Sequence, residues 1–237
     1  MSKIKVNGVI IPNDYQRVYD WMEWDATSPR KVEQQLNDLD GDVTIEINSG
    51  GGSLFHGAEI YTMLRNYKHD VNVEITGVAA SAASVIAMAG DNVTMSPVSQ
   101  MMIHNATIAT QGDYREMDST SNLLKNANQT AVNAYKLKSG MPDDELLDLM
   151  DKETWFTAHQ ALELGLIDAV MFEQPVQVAA SFGSGLLPQE VVNKLTKELL
   201  EEQNPSDDVG GFEKPSNDRM DFLMSKLNLL KLKGDVQ

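Results

Sequence analysis

The chain has 237 residues, 42% apolar and 23% charged, enough for one domain of ordinary size with an appendage. With 35 acidic residues against 19 basic ones the formal charge is −16, which argues against a nucleic-acid-binding surface as the main function; without cysteine, neither disulfides nor thiolate-held zinc can support the fold. The longest apolar stretch, Val71 to Gly90, is broken by Asn72, Glu74, Thr76, Ser81 and Ser84, and the N-terminus lacks a signal peptide's apolar core, so a cytoplasmic protein with no membrane partner is expected.

Lys3 to Pro12 alternates polar and apolar residues about Asn7-Gly8, a pair that favours a tight hairpin turn. Asp25 to Leu39 reads as a helix entry and a helix. Ser28 can cap it, Pro29 suits its first turn, and Val32, Leu36 and Leu39 share one apolar face. After a turn at Asp40-Gly41, Val43 to Ile47 reads as a buried strand running into Asn48-Ser49-Gly50-Gly51-Gly52. A helix is expected from about Leu54 to Tyr67, with Ile60, Met63 and Leu64 inward, then a strand from Val71 to Thr76. Gly77 leads into a small-residue segment, Val78 to Ala89, expected as a buried helix. Two short strands follow, Asn92 to Met95 and Met101 to His104.

Met117, Leu124, Ala127, Ala131 and Tyr135 fall at helical spacing, which predicts a long helix from about Tyr114 to Ser139. Gly140 ends it, and Pro142 starts the next. Thr157 can cap a helix through Leu164, Gly165 closes it, and Leu166 to Met171 reads as a strand. Strands alternate with helices, so an α/β domain with parallel strands is expected over residues 1–171. Residues 172–237 read as a C-terminal extension, partly helical or disordered. They offer a charged helix near Gln189 to Gln203, a linker over Asn204 to Asp218, and an amphipathic run from Arg219 to Lys233.

Three segments could carry chemistry. Gly50-Gly51-Gly52 lets the backbone approach a ligand closely and point its N–H groups into a cavity, as a phosphate cradle or an oxyanion hole. A Walker-type loop would end in Lys then Ser or Thr, whereas Ser53-Leu54-Phe55-His56 follows here; a plain strand-to-helix turn is the other reading. In Gly77-Val78-Ala79-Ala80-Ser81-Ala82-Ala83-Ser84, Ser81 can sit among tiny residues at a helix start, beside backbone donors, or Ser81 and Ser84 can be packing residues. Met101-Met102-Ile103-His104-Asn105 puts one of the four histidines at the end of an apolar strand, where it is either a base or a satisfied core residue. His69 and His159 read as surface residues, and His56 as a helix residue near the glycines.

Together and in this order, the three segments resemble the ClpP-type serine peptidase family. Its members carry an Asn-Ser-Pro-Gly-Gly segment, a nucleophile in Gly-x-Ala-Ala-Ser and a base in Met-Ile-His. The resemblance runs on through Gln111-Gly112 and Gly165-Leu166-Ile167-Asp168 and covers roughly residues 17–171. It implies the ClpP/crotonase-like fold of repeated ββα units with a protruding handle helix. It implies Ser81 as nucleophile, His104 as general base, and the N–H groups of Gly52 and Ala82, with Gly51 nearby, as oxyanion hole. Glu153 stands where the family has its triad aspartate, with Asp151 as the competing acid. Gly50 replaces the family's proline.

The resemblance further implies no cofactor and no metal, extended polypeptide as substrate, and self-association into a ring, seven subunits by analogy, with stacking of two rings left open. Trp24-Asp25-Ala26-Thr27-Ser28-Pro29 resembles the phage-encoded branch of head maturation (prohead) proteases, which implies capsid or scaffold protein as substrate and the host cytoplasm or the prohead as location. Two other readings compete: a crotonase-fold enzyme acting on acyl-CoA, and a non-catalytic capsid assembly or scaffold protein.

Overall fold

The structure is a computed structural model and describes residues 2–173. The helix, linker and amphipathic run expected beyond Phe172 lie outside the described residues.

The core is a mostly parallel sheet. Its strands are β1 (Ser2–Ile10), β2 (Ala26–Thr27), β3 (Val43–Gly52), β4 (Val71–Ala80), β5 (Asn92–Met95), β6 (Gln100–Ile103), β7 (Thr154–Thr157) and β8 (Ala169–Val170). The main path runs β2-β1-β3-β4-β5-β8, with β6 pairing to the far half of β4 and then to β7. β6 and β7 are antiparallel, whereas every other described pair is parallel. Alternate residues Ile4, Val6, Val43, Ile45, Ile47, Val71, Val73 and Ile75 point into one buried layer. Parallel strands need crossovers, and the helices α1 (Gln16–Trp21), α2 (Pro29–Asn37), α3 (Leu54–Arg65), α4 (Ala82–Ala87), α5 (Tyr114–Ser139), α6 (Asp143–Asp151) and α7 (Ala158–Glu163) supply most of them.

Several predicted elements stand where the chemistry put them. The helix expected from Tyr114 to Ser139 is α5, with Asp113 and Glu116 forming a capping box and Gly140 closing it in the left-handed region at φ +74°. Thr157 caps α7 in a second capping box, with Gln160. α2 begins at Pro29 behind Ser28 and buries Val32 and Leu36. The mixed α/β architecture with a parallel sheet agrees with the expected ClpP-like fold.

Three expectations are corrected. Asn7-Gly8 makes no hairpin: β1 is one strand, and the register with β3 slips between Asn7 and Val9. Gly8 stands at φ +68° in a bulge, which shares the hairpin's need for a positive φ, and a Cβ there would lie 1.8 Å from the Asp25 carbonyl oxygen, so the position takes only glycine. The strand from Val71 does not stop at Thr76 but runs to Ala80, and the helix expected from Val78 begins only at Ala82. Gly77 lies between the half of that strand paired with β5 and the half paired with β6, packed so closely on Asn48 that a Cβ would meet its Oδ1 at 2.4 Å. The glycine segment is likewise the end of β3, with Gly51 and Gly52 registered against Val9 and Ile10.

Candidate active site

Ser81 is the single residue between β4 and α4. Its φ of +56° with ψ −126° lies outside the regions open to L-residues, a conformation that costs on the order of 1–3 kcal/mol and persists only where neighbours impose it. They do so at both ends of the residue. The Ser81 N–H donates to the Met102 carbonyl at 2.9 Å, and the Ser81 carbonyl accepts from the N–H groups of Ser84 at 3.0 Å and Val85 at 3.3 Å.

β6 runs beside the far half of β4, with Ala80 opposite Met102, so the residue following β6 comes up beside the residue following β4. That residue is His104, and its Nε2 lies 2.8 Å from Ser81 Oγ. The structure therefore brings together two side chains 23 positions apart, at hydrogen-bonding distance.

β7 brings the acids. Its antiparallel register sets Ile103 opposite Thr154, so the next pair outward is His104 and Glu153. Glu153 turns at φ +49°, and its Oε2 stands 3.9 Å from His104 Nδ1, within ion-pair range and beyond hydrogen-bond length. Its side chain is 61% exposed, against 25% for His104. Asp151, the competing acid, faces elsewhere: its Oδ1 accepts from Asn105 Nδ2 at 2.6 Å.

The glycines fill the remaining side. Gly51 passes so close beneath the strand–helix junction that a Cβ there would stand 2.6 Å from the Ala80 carbonyl oxygen, 2.7 Å from Ser81 Cβ and 3.1 Å from the Ala82 nitrogen. Its φ is +95°, and its own N–H is taken by Ser49 Oγ at 3.1 Å, which in turn donates to the Gly8 carbonyl at 2.6 Å. Gly51 thus contributes closeness rather than a free donor. Gly52, at φ +146°, lines the cleft with Ser81 and His104.

That cleft holds about 430 Å³. Its apolar wall includes Leu54, Met102, Leu123, Leu124 and Ala127, so α3, β6 and the long α5 all face it. Of the other histidines, His69 lies 3.2 Å from Asp40 and His159 lies 3.0 Å from Glu173, while His56 Nδ1 lies 2.7 Å from Ser53 Oγ at the cleft edge. Among the described residues no group of His, Asp and Glu is arranged to hold a metal ion, and no helix is long and apolar enough to cross a membrane.

The sequence did not single out Tyr135 or Asn105 at the site, and it offered Ser84 only as packing. Ser84 stands at the i+3 position from Ser81, a spacing at which a serine hydroxyl reaches back to a carbonyl, so a signal existed for that residue. No local pattern links Tyr135 to it across 51 positions.

A family model described as Clp protease matches residues 25–174, more than half of the chain. The chain belongs to the Clp protease family. The match covers the glycine strand, the Ser81 junction, the His104 strand end and the Glu153 turn together. Curated relatives include the ATP-dependent Clp protease proteolytic subunit of Bacteroides fragilis, 33% identical over 135 residues, which is 56% of this chain and 65% of the relative. The subunit of the same name in Porphyromonas gingivalis is 31% identical over 147 residues, 59% of this chain and 66% of the relative. That of Deinococcus radiodurans is 30% identical over 132 residues, 55% and 65% respectively. In each case the matched part is just under two thirds of the relative's own length.

Proposed function

We propose that this Clp protease family member is a serine endopeptidase that cleaves extended polypeptide, with Ser81 as nucleophile, His104 as general base and Glu153 as the acid that orients it. The observation that carries the reading is the 2.8 Å contact between Ser81 Oγ and His104 Nε2, at a strained junction overlying the glycine end of β3.

In this mechanism Ser81 Oγ attacks the peptide carbonyl while His104 Nε2 takes its proton. The carbonyl oxygen becomes an oxyanion held by the N–H groups of Gly52 and Ala82, each such donor lowering the barrier by about 3–4 kcal/mol. The intermediate collapses, His104 returns the proton to the leaving amine, and an ester on Ser81 remains. Water, deprotonated by the same imidazole, then releases the second product. Glu153 reaches His104 Nδ1 by a side-chain rotation that closes the 3.9 Å gap, fixes the tautomer and stabilises the imidazolium. No metal or organic cofactor takes part.

Relatives named as subunits of an ATP-dependent protease support self-association, and a closed ring would admit unfolded chains and exclude folded ones. Capsid or scaffold protein as the natural substrate is the finer reading; its support is the Trp24–Pro29 stretch, of which Ala26 and Thr27 form β2 and, with Ser28 and Pro29, are buried. The Ser–His contact favours peptidase chemistry over an acyl-CoA enzyme on a related fold or a scaffold that has lost catalysis.

The test is peptide cleavage by the full chain and by Ser81→Ala, using an unfolded protein substrate such as reduced casein with product analysis by mass spectrometry. Ser81→Ala is expected to lose cleavage by at least about 10³-fold while keeping the assembly of the parent. Cleavage at the parent's rate by Ser81→Ala removes the serine from the mechanism.

A further inference from the structure

Ser84 and Tyr135 form a buried chain that ends on the backbone of the proposed nucleophile. Ser84 is fully buried and Tyr135 is 1% exposed. Ser84 Oγ lies 2.6 Å from the Ser81 carbonyl oxygen and 2.8 Å from the Tyr135 hydroxyl. The proton order follows from valence. A carbonyl can only accept, so the single hydroxyl proton of Ser84 points at Ser81. The Tyr135 O–H must then donate into Ser84 Oγ. Burial raises the Tyr135 phenol above its ordinary value, which keeps that proton in place.

A serine hydroxyl reaching back to the carbonyl three positions earlier is common in helices and means little alone. Here the accepting carbonyl belongs to Ser81, the residue held at φ +56° and ψ −126°. With the two helix amides it receives three donors, and a polarised hydroxyl is a better donor than a solitary one. Without the Ser84 hydroxyl only the two amide donors remain, the hold on ψ at Ser81 loosens, and the Cα–Cβ bond that aims Oγ at His104 turns with it. The outermost member of the chain stands on α5, an element separate from those that carry Ser81, His104 and Glu153.

Resting on the serine peptidase reading, we infer that Ser84 and Tyr135 are positioning residues: they hold the Ser81 backbone in the turn that presents its hydroxyl to His104, and they make that presentation depend on the seating of the long helix α5. Neither touches the reacting atoms; Tyr135 lines the cleft but is 1% exposed, with its hydroxyl turned to Ser84. Their removal slows the chemical step and leaves substrate binding alone.

The experiment compares the full chain with Ser84→Ala, Tyr135→Phe and the double variant, all checked by circular dichroism to be folded at the assay temperature. Two rates are read: inactivation by a small fluorophosphonate, and kcat and KM on a fluorogenic peptide. Ser84→Ala is expected to slow phosphonylation and kcat together by about tenfold, and Tyr135→Phe by roughly threefold or more, with KM changed less than about twofold. Because the two hydroxyls act in series, the double variant is expected to be no slower than Ser84→Ala, and the pH profile is expected to keep its midpoint. Parent rates in both single variants, losses that multiply in the double variant, or an effect confined to KM would each overturn the inference. A parent protein that neither cleaves peptide nor takes the probe overturns the peptidase reading itself, so the two failures are told apart.

Discussion

Ser81 and Glu153 are both non-glycine residues at positive φ, at +56° and +49°, and they flank His104 in the site. Strain of this kind is retained when the surroundings over-determine it, and each residue sits at the end of a strand whose register leaves no slack. The two candidate acids, two positions apart, are separated by what each faces: Glu153 the imidazole, Asp151 the amide of Asn105. Glu153→Gln is accordingly expected to lower kcat on a peptide substrate by about 10²–10⁴-fold, the range in which a triad acid acts through the tautomer it fixes. Asp151→Asn, which keeps a hydrogen-bonding group beside Asn105, is expected to cost under about tenfold. The reverse ranking would transfer the role to Asp151. The sequence offered both acids; the choice depends on a strand pairing between residues some fifty positions apart, which no local pattern encodes.

At the scale of elements, what was legible followed from capping and periodicity. α5 was legible in the helical spacing of Met117, Leu124, Ala127, Ala131 and Tyr135 and in Gly140 at its end, and the ends of α7 in Thr157 and Gly165. What was not legible depends on partners far away in the chain. β7 is four residues wedged between two helices and becomes a strand through pairing with β6. β2 is two residues long and exists through pairing with the outer end of β1. The far halves of β3 and β4 look like loop and helix because glycine and alanine dominate them, yet small residues are what allow β3 to lie directly under Ser81. Gly51 shows the consequence. Gly51→Ala adds a methyl group 2.6 Å from the Ala80 carbonyl oxygen on a backbone at φ +95°. Urea denaturation is expected to show a loss of about 1–3 kcal/mol, and peptide cleavage is expected to fall by tenfold or more as the junction shifts. Unchanged stability and turnover would mean that the close approach of β3 has no bearing on the site.

For the whole molecule, a parallel sheet with its site at the strand ends obeys the general rule that the ends of neighbouring strands, where chain paths diverge, are where side chains from distant segments converge. The glycine end of β3, the Ser81 end of β4, the His104 end of β6 and the Glu153 approach to β7 all meet there, and α5 closes the cleft from outside the sheet. A net charge of −16 favours mutual repulsion between copies. The proposed chemistry depends on Ser81 being an activated nucleophile. Intact mass spectrometry of the full chain after reaction with a fluorophosphonate, followed by peptide mapping, measures this most directly. One adduct per chain is expected, located on Ser81 and lost in both Ser81→Ala and His104→Ala. An unmodified parent chain, or label that persists at another residue in Ser81→Ala, would contradict Ser81 as the nucleophile.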